Sequence, residues 1–195
     1  MFVNNSTREY TRGRTIAPLC INHTYSVINK PLLRWTIGRT SHQIAFDVML
    51  RSLNNIKRIY ADTFETCICY NGFTPNKSIL GLFDQSVNQA QFSESLSICP
   101  PKSRADGGPA WKLYPPRLSL HTHEIIMDND VVLHKRFDKI DDFLKHDDKF
   151  FITQPYKRSY SPKYQHLINK HFNINTGIVG LPPNYDFQKE INEAI

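Results

Sequence analysis

The feature that most constrains the fold is a strand, helix and strand pattern between residues 31 and 72. Residues 31–38, PLLRWTIG, are mostly apolar or β-branched, which is typical of a buried strand. Residues 42–60 repeat apolar side chains at helical spacing, and Ser41 stands where a helix N-cap is expected. Residues 64–72, FETCICYNG, predict a second strand that ends in an Asn-Gly turn. This order predicts two parallel strands joined by a right-handed crossover.

Strands and helices continue to alternate along the rest of the chain. Further strands are predicted at 124–128, 149–156 and 173–183, and further helices at 76–86, 140–148, 164–171 and 186–195. Such alternation predicts a three-layer α/β/α sandwich with a mostly parallel central sheet. Residues 1–30 are polar with weak periodicity, so we expect an N-terminal extension before one α/β domain at 31–195.

Composition and charge narrow the classes of function. The 195 residues carry a formal net charge of +6, but the basic residues are scattered. This pattern favours a phosphate-bearing ligand and argues against a nucleic-acid-binding surface. No segment has the roughly 20 continuous apolar residues of a membrane helix, and the N-terminus lacks the apolar core of a signal peptide. We therefore expect a cytoplasmic protein without a membrane span.

Two cysteines lie two positions apart in the second predicted strand. Cys67 and Cys69 should therefore point to the same face of the sheet. No second pair completes a zinc site with them, so Cys67 and Cys69 are predicted to be reduced thiols.

The segment HEIIMDNDVVL, residues 123–133, places two carboxylates between two apolar pieces. In one continuous buried strand Asp128 and Asp130 would share a face, because side chains two residues apart point the same way. Burying unpaired carboxylates is unfavourable by several kcal/mol, and a divalent cation removes that penalty. Oxygen ligands suit Mg²⁺ or Mn²⁺, which take further ligands from substrate phosphates. The segment thus predicts a metal–diphosphate site, and the alternative is an acidic turn that caps a helix.

Two other loops are expected beside this motif. Residues 38–40, 71–72 and 128–130 each follow a predicted strand. The carboxyl ends of parallel strands meet at one edge of a sheet, where ligands collect. We therefore expect these three loops to line one site.

Three segments together resemble GT-A-type nucleotide-sugar glycosyltransferases. Residues 110–133, AWKLYPPRLSLHTHEIIMDNDVVL, resemble the central segment of that family, whose strand ends in an Asp-X-Asp motif. Residues 173–181, NINTGIVGL, resemble its later Asn-Ser/Thr-Gly strand. Residues 34–53, RWTIGRTSHQIAFDVMLRSL, resemble its first strand, nucleotide-binding loop and first helix. The resemblance covers about residues 31–190.

The resemblance implies a hexosyltransferase-like enzyme that uses Mn²⁺ or Mg²⁺. It would transfer a sugar from a nucleoside-diphosphate-sugar donor to an unknown glycan, lipid or protein acceptor. Asp128 and Asp130 match the metal-binding acids. The residues expected to contact the nucleotide or donor sugar are Thr36, Gly38, Arg39, Asn71, Lys112, Arg117, Asn129, Asn175, Thr176 and Gly177.

The chain departs from the family near its C-terminus. Many metal-dependent members supply a further ligand there, often a histidine, whereas this chain ends at Ile195. The expectation is a minimal or truncated version, or a ligand from elsewhere. No residue stands out as a catalytic base, so inverting and retaining chemistry both stay open. The alternatives are a non-catalytic nucleotide-sugar-binding protein of the same fold and a nucleotidyltransferase, for which TIGRTS is too poor in glycine.

Overall fold

The computed structural model describes residues 30–38, 43–88, 117–153, 177–187 and 189–190. The strands are β1 (Leu32–Gly38), β2 (Glu65–Asn71), β3 (Gln85–Asn88), β4 (Glu124–Met127), β5 (Phe151–Ile152) and β6 (Ile178–Leu181). The helices are α1 (Gln43–Tyr60), α2 (Lys77–Leu80) and α3 (Asp138–Phe143), and a short 3-10 turn covers Ala61–Thr63.

The six strands form one mixed sheet in the order β3-β2-β1-β4-β6-β5. Strands β3, β2, β1 and β4 are mutually parallel, whereas β6 runs antiparallel to β4 and β5 antiparallel to β6. The predicted α/β class with a mostly parallel sheet is confirmed, as is the parallel pairing of the strands that flank α1. Strand β3 was not predicted, because its sequence QSVN has one apolar residue and no alternation.

One face of the sheet carries the main core. Leu33, Trp35 and Ile37 of β1 point to this face and pack with the buried side of α1. Each fully buried apolar side chain stabilises the fold by roughly 1.5–3 kcal/mol. Ile44 belongs to the apolar repeat of the predicted helix at 42–60 but is 74% exposed, because the first turn of α1 lies outside the buried contacts, which begin with the half-buried Phe46.

The opposite face of the sheet combines a small apolar cluster with buried polar groups. Ile126, Val179 and Leu181 form the cluster with Tyr185 and Phe187. The three described helices carry apolar side chains packed on the main-core face. Phe187, which is helical, packs on this second face, so the described residues include the start of the helix predicted at 186–195 on this side of the sheet. None of the helices in the described ranges is long and apolar enough to cross a membrane.

Cys67 and Cys69 lie on this second face as buried free thiols, as predicted. A hydrogen bond with Cys69, together with burial, raises the pKa of the Cys67 thiol well above its usual value. A protonated, buried thiol is a poor nucleophile and a poor metal ligand.

The strand predicted at 124–128 is confirmed to within one residue, but the interpretation of residues 123–133 as one buried run across the aspartates is wrong. Strand β4 ends at Met127, and residues 131–133 are half-buried without strand pairing. The predicted strand at 149–156 is limited to Phe151–Ile152 among the described residues. The predicted helix at 164–171 and residues 1–29 of the predicted extension lie outside the described ranges. At the C-terminus, residues 187, 189 and 190 are helical.

Gly180 of β6 offers a test of the packing. A Cβ atom there would lie 2.8 Å from the Phe143 ring and 2.9 Å from Phe151 Cβ. We expect Gly180→Ala to lower the free energy of unfolding by about 1–3 kcal/mol, because an added methyl overpacks a filled site. Gly81→Ala is the control, since Gly81 has a helical φ of −68° and its nearest contact would be 3.3 Å. Urea denaturation of both variants should show a clear loss for the first only, and equal losses would contradict this packing.

Candidate functional site

The carboxyl ends of β1, β2 and β4 meet at one edge of the sheet. Gly38 is paired with Asn71 at the end of the β1–β2 ladder. Trp35 is paired with Met127, so Asp128 comes level with Thr36. Neighbouring strands lie about 4.8 Å apart. The residues that therefore occupy a short stretch of this edge are Thr36, Gly38, Asn71 and Asp128. We call this stretch the carboxyl edge.

The two aspartates flank a turn at the carboxyl edge. The backbone N–H of Val131 donates to the Asp128 carbonyl over 3.2 Å, and this bond closes the turn directly after β4. Asp128 is half-buried and Asp130 is exposed. This corrects the expected pair of buried acids on an extended strand. The physical reason is that the ladders of β4 with both neighbours end at Met127.

Strand β6 brings Gly177 to the same place. The Asp128 N–H donates to the Gly177 carbonyl over 2.8 Å. Thr153 holds the adjoining residue, because its Oγ1 accepts from the Ile178 N–H over 3.1 Å and its N–H donates to the Ile178 carbonyl over 3.1 Å. Thr153 was not among the predicted site residues, although it is the first polar residue after the apolar FFI run. Of the other predicted residues, Arg39, Lys112, Asn175 and Thr176 lie outside the described ranges.

Aromatic side chains stand beside the end of β2. The Phe73 ring contacts Phe46 of α1 and Tyr70 of β2, with centroid distances of 5.7 and 6.5 Å. Gly72 between them has a φ of 75°, a left-handed conformation that glycine adopts without strain. The predicted Asn-Gly turn therefore directs the chain from β2 back to the first turns of α1.

Arg117 does not belong to the carboxyl edge. Its buried guanidinium donates to the carbonyls of Thr122, Pro182 and Tyr185, and its Nε lies 3.5 Å from Glu124 Oε2. Glu124 begins β4, four residues before Asp128, which corresponds to about 13 Å along a strand. The expectation that Arg117 contacts the donor is therefore corrected, because its donors are used inside the fold. Burial lowers the pKa of Arg117, and the Glu124 charge opposes that shift.

Arg34 completes this buried charge cluster. Its Nη1 lies 3.0 Å from Glu124 Oε1, and both side chains are almost fully buried. We call Arg34, Glu124 and Arg117 the buried triad. The sequence held a signal for the Arg34–Glu124 pair. Two apolar strands, LLRWTIG and EIIM, each contain one charged residue, and the two charges are of opposite sign.

The residues at the carboxyl edge fit a divalent cation whose ligands come partly from a bound phosphate, and not a cation held by protein side chains alone. The described ranges contain no group of three or more histidine, cysteine, aspartate or glutamate side chains placed to hold a metal ion. Mg²⁺ and Mn²⁺ need only one or two carboxylates when waters and substrate phosphates complete the shell. Asp128 and Asp130 supply oxygen donors of that kind.

A cleft of about 510 Å³ lies at the opposite edge of the sheet, beside the first residues of β2 and β3. Its Asp84 carboxylate accepts from Thr66 N–H and Oγ1, each over 2.7 Å. Burial would raise the pKa of Asp84, but these bonds and the Lys57 charge outweigh it and lower the pKa. The Asp84 carboxylate thus serves the fold, and the cleft is separate from the carboxyl edge.

Comparisons with known proteins give a faint structural likeness. No protein-family model and no curated protein sequence matches the chain. It is similar to a structure of the galactosyltransferase LgtC in complex with donor and acceptor sugar analogs, with a TM-score of 0.48 and 11% identity over 83% of this chain and 63% of that one. It is also similar to an active-site mutant of LgtC, with a TM-score of 0.47 and 11% identity over 83% of this chain and 62% of that one. The chain thus spans less than two thirds of the length of these structures.

The structural role of Arg117 can be tested by its removal. We expect Arg117→Ala to lower the free energy of unfolding by about 3 kcal/mol or more, because it strips a buried carboxylate of one partner. Arg136→Ala is the control, since this exposed arginine forms a two-bond pair with Asp141 at 2.8 Å in each bond. Exposed pairs contribute little, so its loss should be much smaller. Denaturation that showed equal losses would contradict the assignment.

Proposed function

We propose that the chain is a metal-dependent glycosyltransferase that uses a nucleoside-diphosphate-sugar donor. The observation that carries the proposal is the position of the turn at residues 128–131, which we call the acidic turn. Asp128 comes directly after a central parallel strand, level with Thr36, and contacts Gly177 through its backbone. Ligands of open α/β sheets bind at the carboxyl ends of the strands, and an acidic turn there suits a cation with a diphosphate.

The proposed roles follow the arrangement of the carboxyl edge. Thr36, Gly38, Arg39 and Asn71 would contact the nucleotide on the β1–β2 side. The residues proposed for the donor-sugar side are Asn129, Asn175, Thr176 and Gly177. Lys112 is proposed as a cation near the diphosphate, a role that Arg117 no longer shares.

Asp128 and Asp130 would hold the Mn²⁺ or Mg²⁺ ion. A bound divalent ion stabilises negative charge on a departing diphosphate. Helix α1 would also favour a bound diphosphate. It has 18 residues, begins at this edge and has no acidic residue in its first turn. A helix N-terminus carries partial positive charge and favours anions.

Ligand binding can be tested by thermal melting with nucleoside diphosphates and their sugars, with and without Mn²⁺. We expect at least one nucleotide to stabilise the fold only when Mn²⁺ is present. At a nucleotide concentration of 100 times its Kd, the free energy of unfolding should rise by about 2.7 kcal/mol. If no nucleotide raised the melting temperature with or without the metal, the proposal would be wrong. Binding without transfer or hydrolysis of any donor sugar would instead indicate a nucleotide-sugar-binding protein.

The role of Asp130 can be tested by Asp130→Asn. We expect Mn²⁺-dependent binding of the nucleoside diphosphate to weaken at least about 10-fold, because the variant lacks one anionic ligand. The metal-free melting point should stay level, since Asp130 is exposed and surface changes usually stay within about 0.5 kcal/mol. Asp148→Asn makes the same charge change at another exposed acid and is the control. Calorimetry that found unchanged binding, with a lowered melting point, would show that Asp130 is structural.

A further inference from the structure

One side chain of α1 holds the segment that follows the acidic turn. Asn55 is half-buried, and its Nδ2 donates to the Leu133 carbonyl over 2.9 Å. The two residues lie 78 positions apart in the chain. A backbone carbonyl only accepts, so this contact needs the amide N–H of Asn55 and excludes a carboxylate in its place.

The acidic turn is fixed differently at its two ends. On the β4 side, Asp128 is held by the strand and by the Gly177 carbonyl. On the other side, the backbone at 131–133 has no strand partner among the described residues. There the anchors are the packing of Val131 and Leu133 on the core beside α1 and the Asn55 hydrogen bond. Asp130 therefore lies between an anchor in the sheet and a second anchor, which combines the apolar packing of Val131 and Leu133 with the Asn55 hydrogen bond.

We propose that Asn55 is a positioning residue for the metal-binding turn. It acts through the Leu133 backbone, which limits how far residues 129–131 can move and so keeps the Asp130 carboxylate near Asp128. This role rests on the proposed function, since it concerns the affinity of the same two acids for the cation. Groups that orient metal ligands typically change metal affinity by about 10–100-fold when removed, and an indirect anchor belongs at the lower end.

Tyr60 provides a matched comparison on the same helix. Its hydroxyl accepts from the Phe137 N–H over 2.9 Å, so it too ties α1 to the segment after the turn. Phe137 lies seven residues beyond Asp130, whereas Leu133 lies three beyond it. Loss of the Tyr60 bond should loosen the segment where it enters α3 and leave the acidic turn in place.

The experiment is calorimetry of Mn²⁺ binding in the presence of uridine or guanosine diphosphate, whichever the wild-type chain binds. The variants are Asn55→Ala, Asn55→Gln and Tyr60→Phe, each first shown by melting to be folded at the temperature used. We expect Asn55→Ala to weaken Mn²⁺ binding about 10-fold. Asn55→Gln retains the donor and should recover most of the affinity, and Tyr60→Phe should stay within about twofold of the wild type.

Unchanged Mn²⁺ affinity in folded Asn55→Ala would overturn the positioning role, and so would equal weakening in Tyr60→Phe. If Asn55→Ala does not fold, Asn55→Leu carries the same test, because it keeps roughly the size, loses the donor and adds no charge. A wild-type chain that binds neither Mn²⁺ nor any nucleoside diphosphate would overturn the proposed function and this role with it. That outcome is distinguished from failure of the positioning role alone by the wild-type titration.

Discussion

The alignment of the sheet depends on one buried carboxylate. Glu124 is fully buried and lies between the guanidinium groups of Arg34 and Arg117, at 3.0 and 3.5 Å, and it also accepts from the Leu118 N–H over 3.1 Å. Desolvation of such charges is unfavourable by several kcal/mol and is offset only in good geometry. A shift of β1 by one residue would turn Arg34 toward the apolar face beneath α1. The buried triad therefore opposes a one-residue shift of β1.

The register has its consequence at the other end of the strands. With Leu32 opposite Glu124, Thr36 comes level with Asp128, and the β1–β2 ladder places Gly38 beside Asn71. The antiparallel strand β6 then brings the Gly177 carbonyl to the Asp128 N–H. The buried triad and the candidate site thus lie at opposite ends of the same strands. Rigid elements hold the site, and its variable chemistry lies on the loops between them.

The position of the acids changes the argument for a metal. Two carboxylates in a buried strand would demand a cation, whereas Asp130 is exposed and Asp128 only half-buried. Because Asp130 is exposed, water and salt screen its charge, and the pair does not by itself require an ion. The case for Mn²⁺ or Mg²⁺ rests instead on where the turn stands: at the carboxyl edge, beside other strand-end loops and near the start of α1. A diphosphate would contribute the charge and the oxygen atoms that these two acids by themselves lack.

The sequence by itself determined the α/β class, the strand, helix and strand unit at 31–72, and the Asp-X-Asp motif directly after an apolar strand. These follow from local periodicity and from turn residues such as Gly72, which act within a few positions. Only the tertiary structure decided that β4 ends at Met127, that Asp130 is exposed, and that Arg117 is buried away from the site. It also decided the addition of β3 and the antiparallel course of β5 and β6. Strand ends, the burial of a charge and the partner of Asn55 each depend on residues far away in the chain, and no local pattern encodes where those residues will lie.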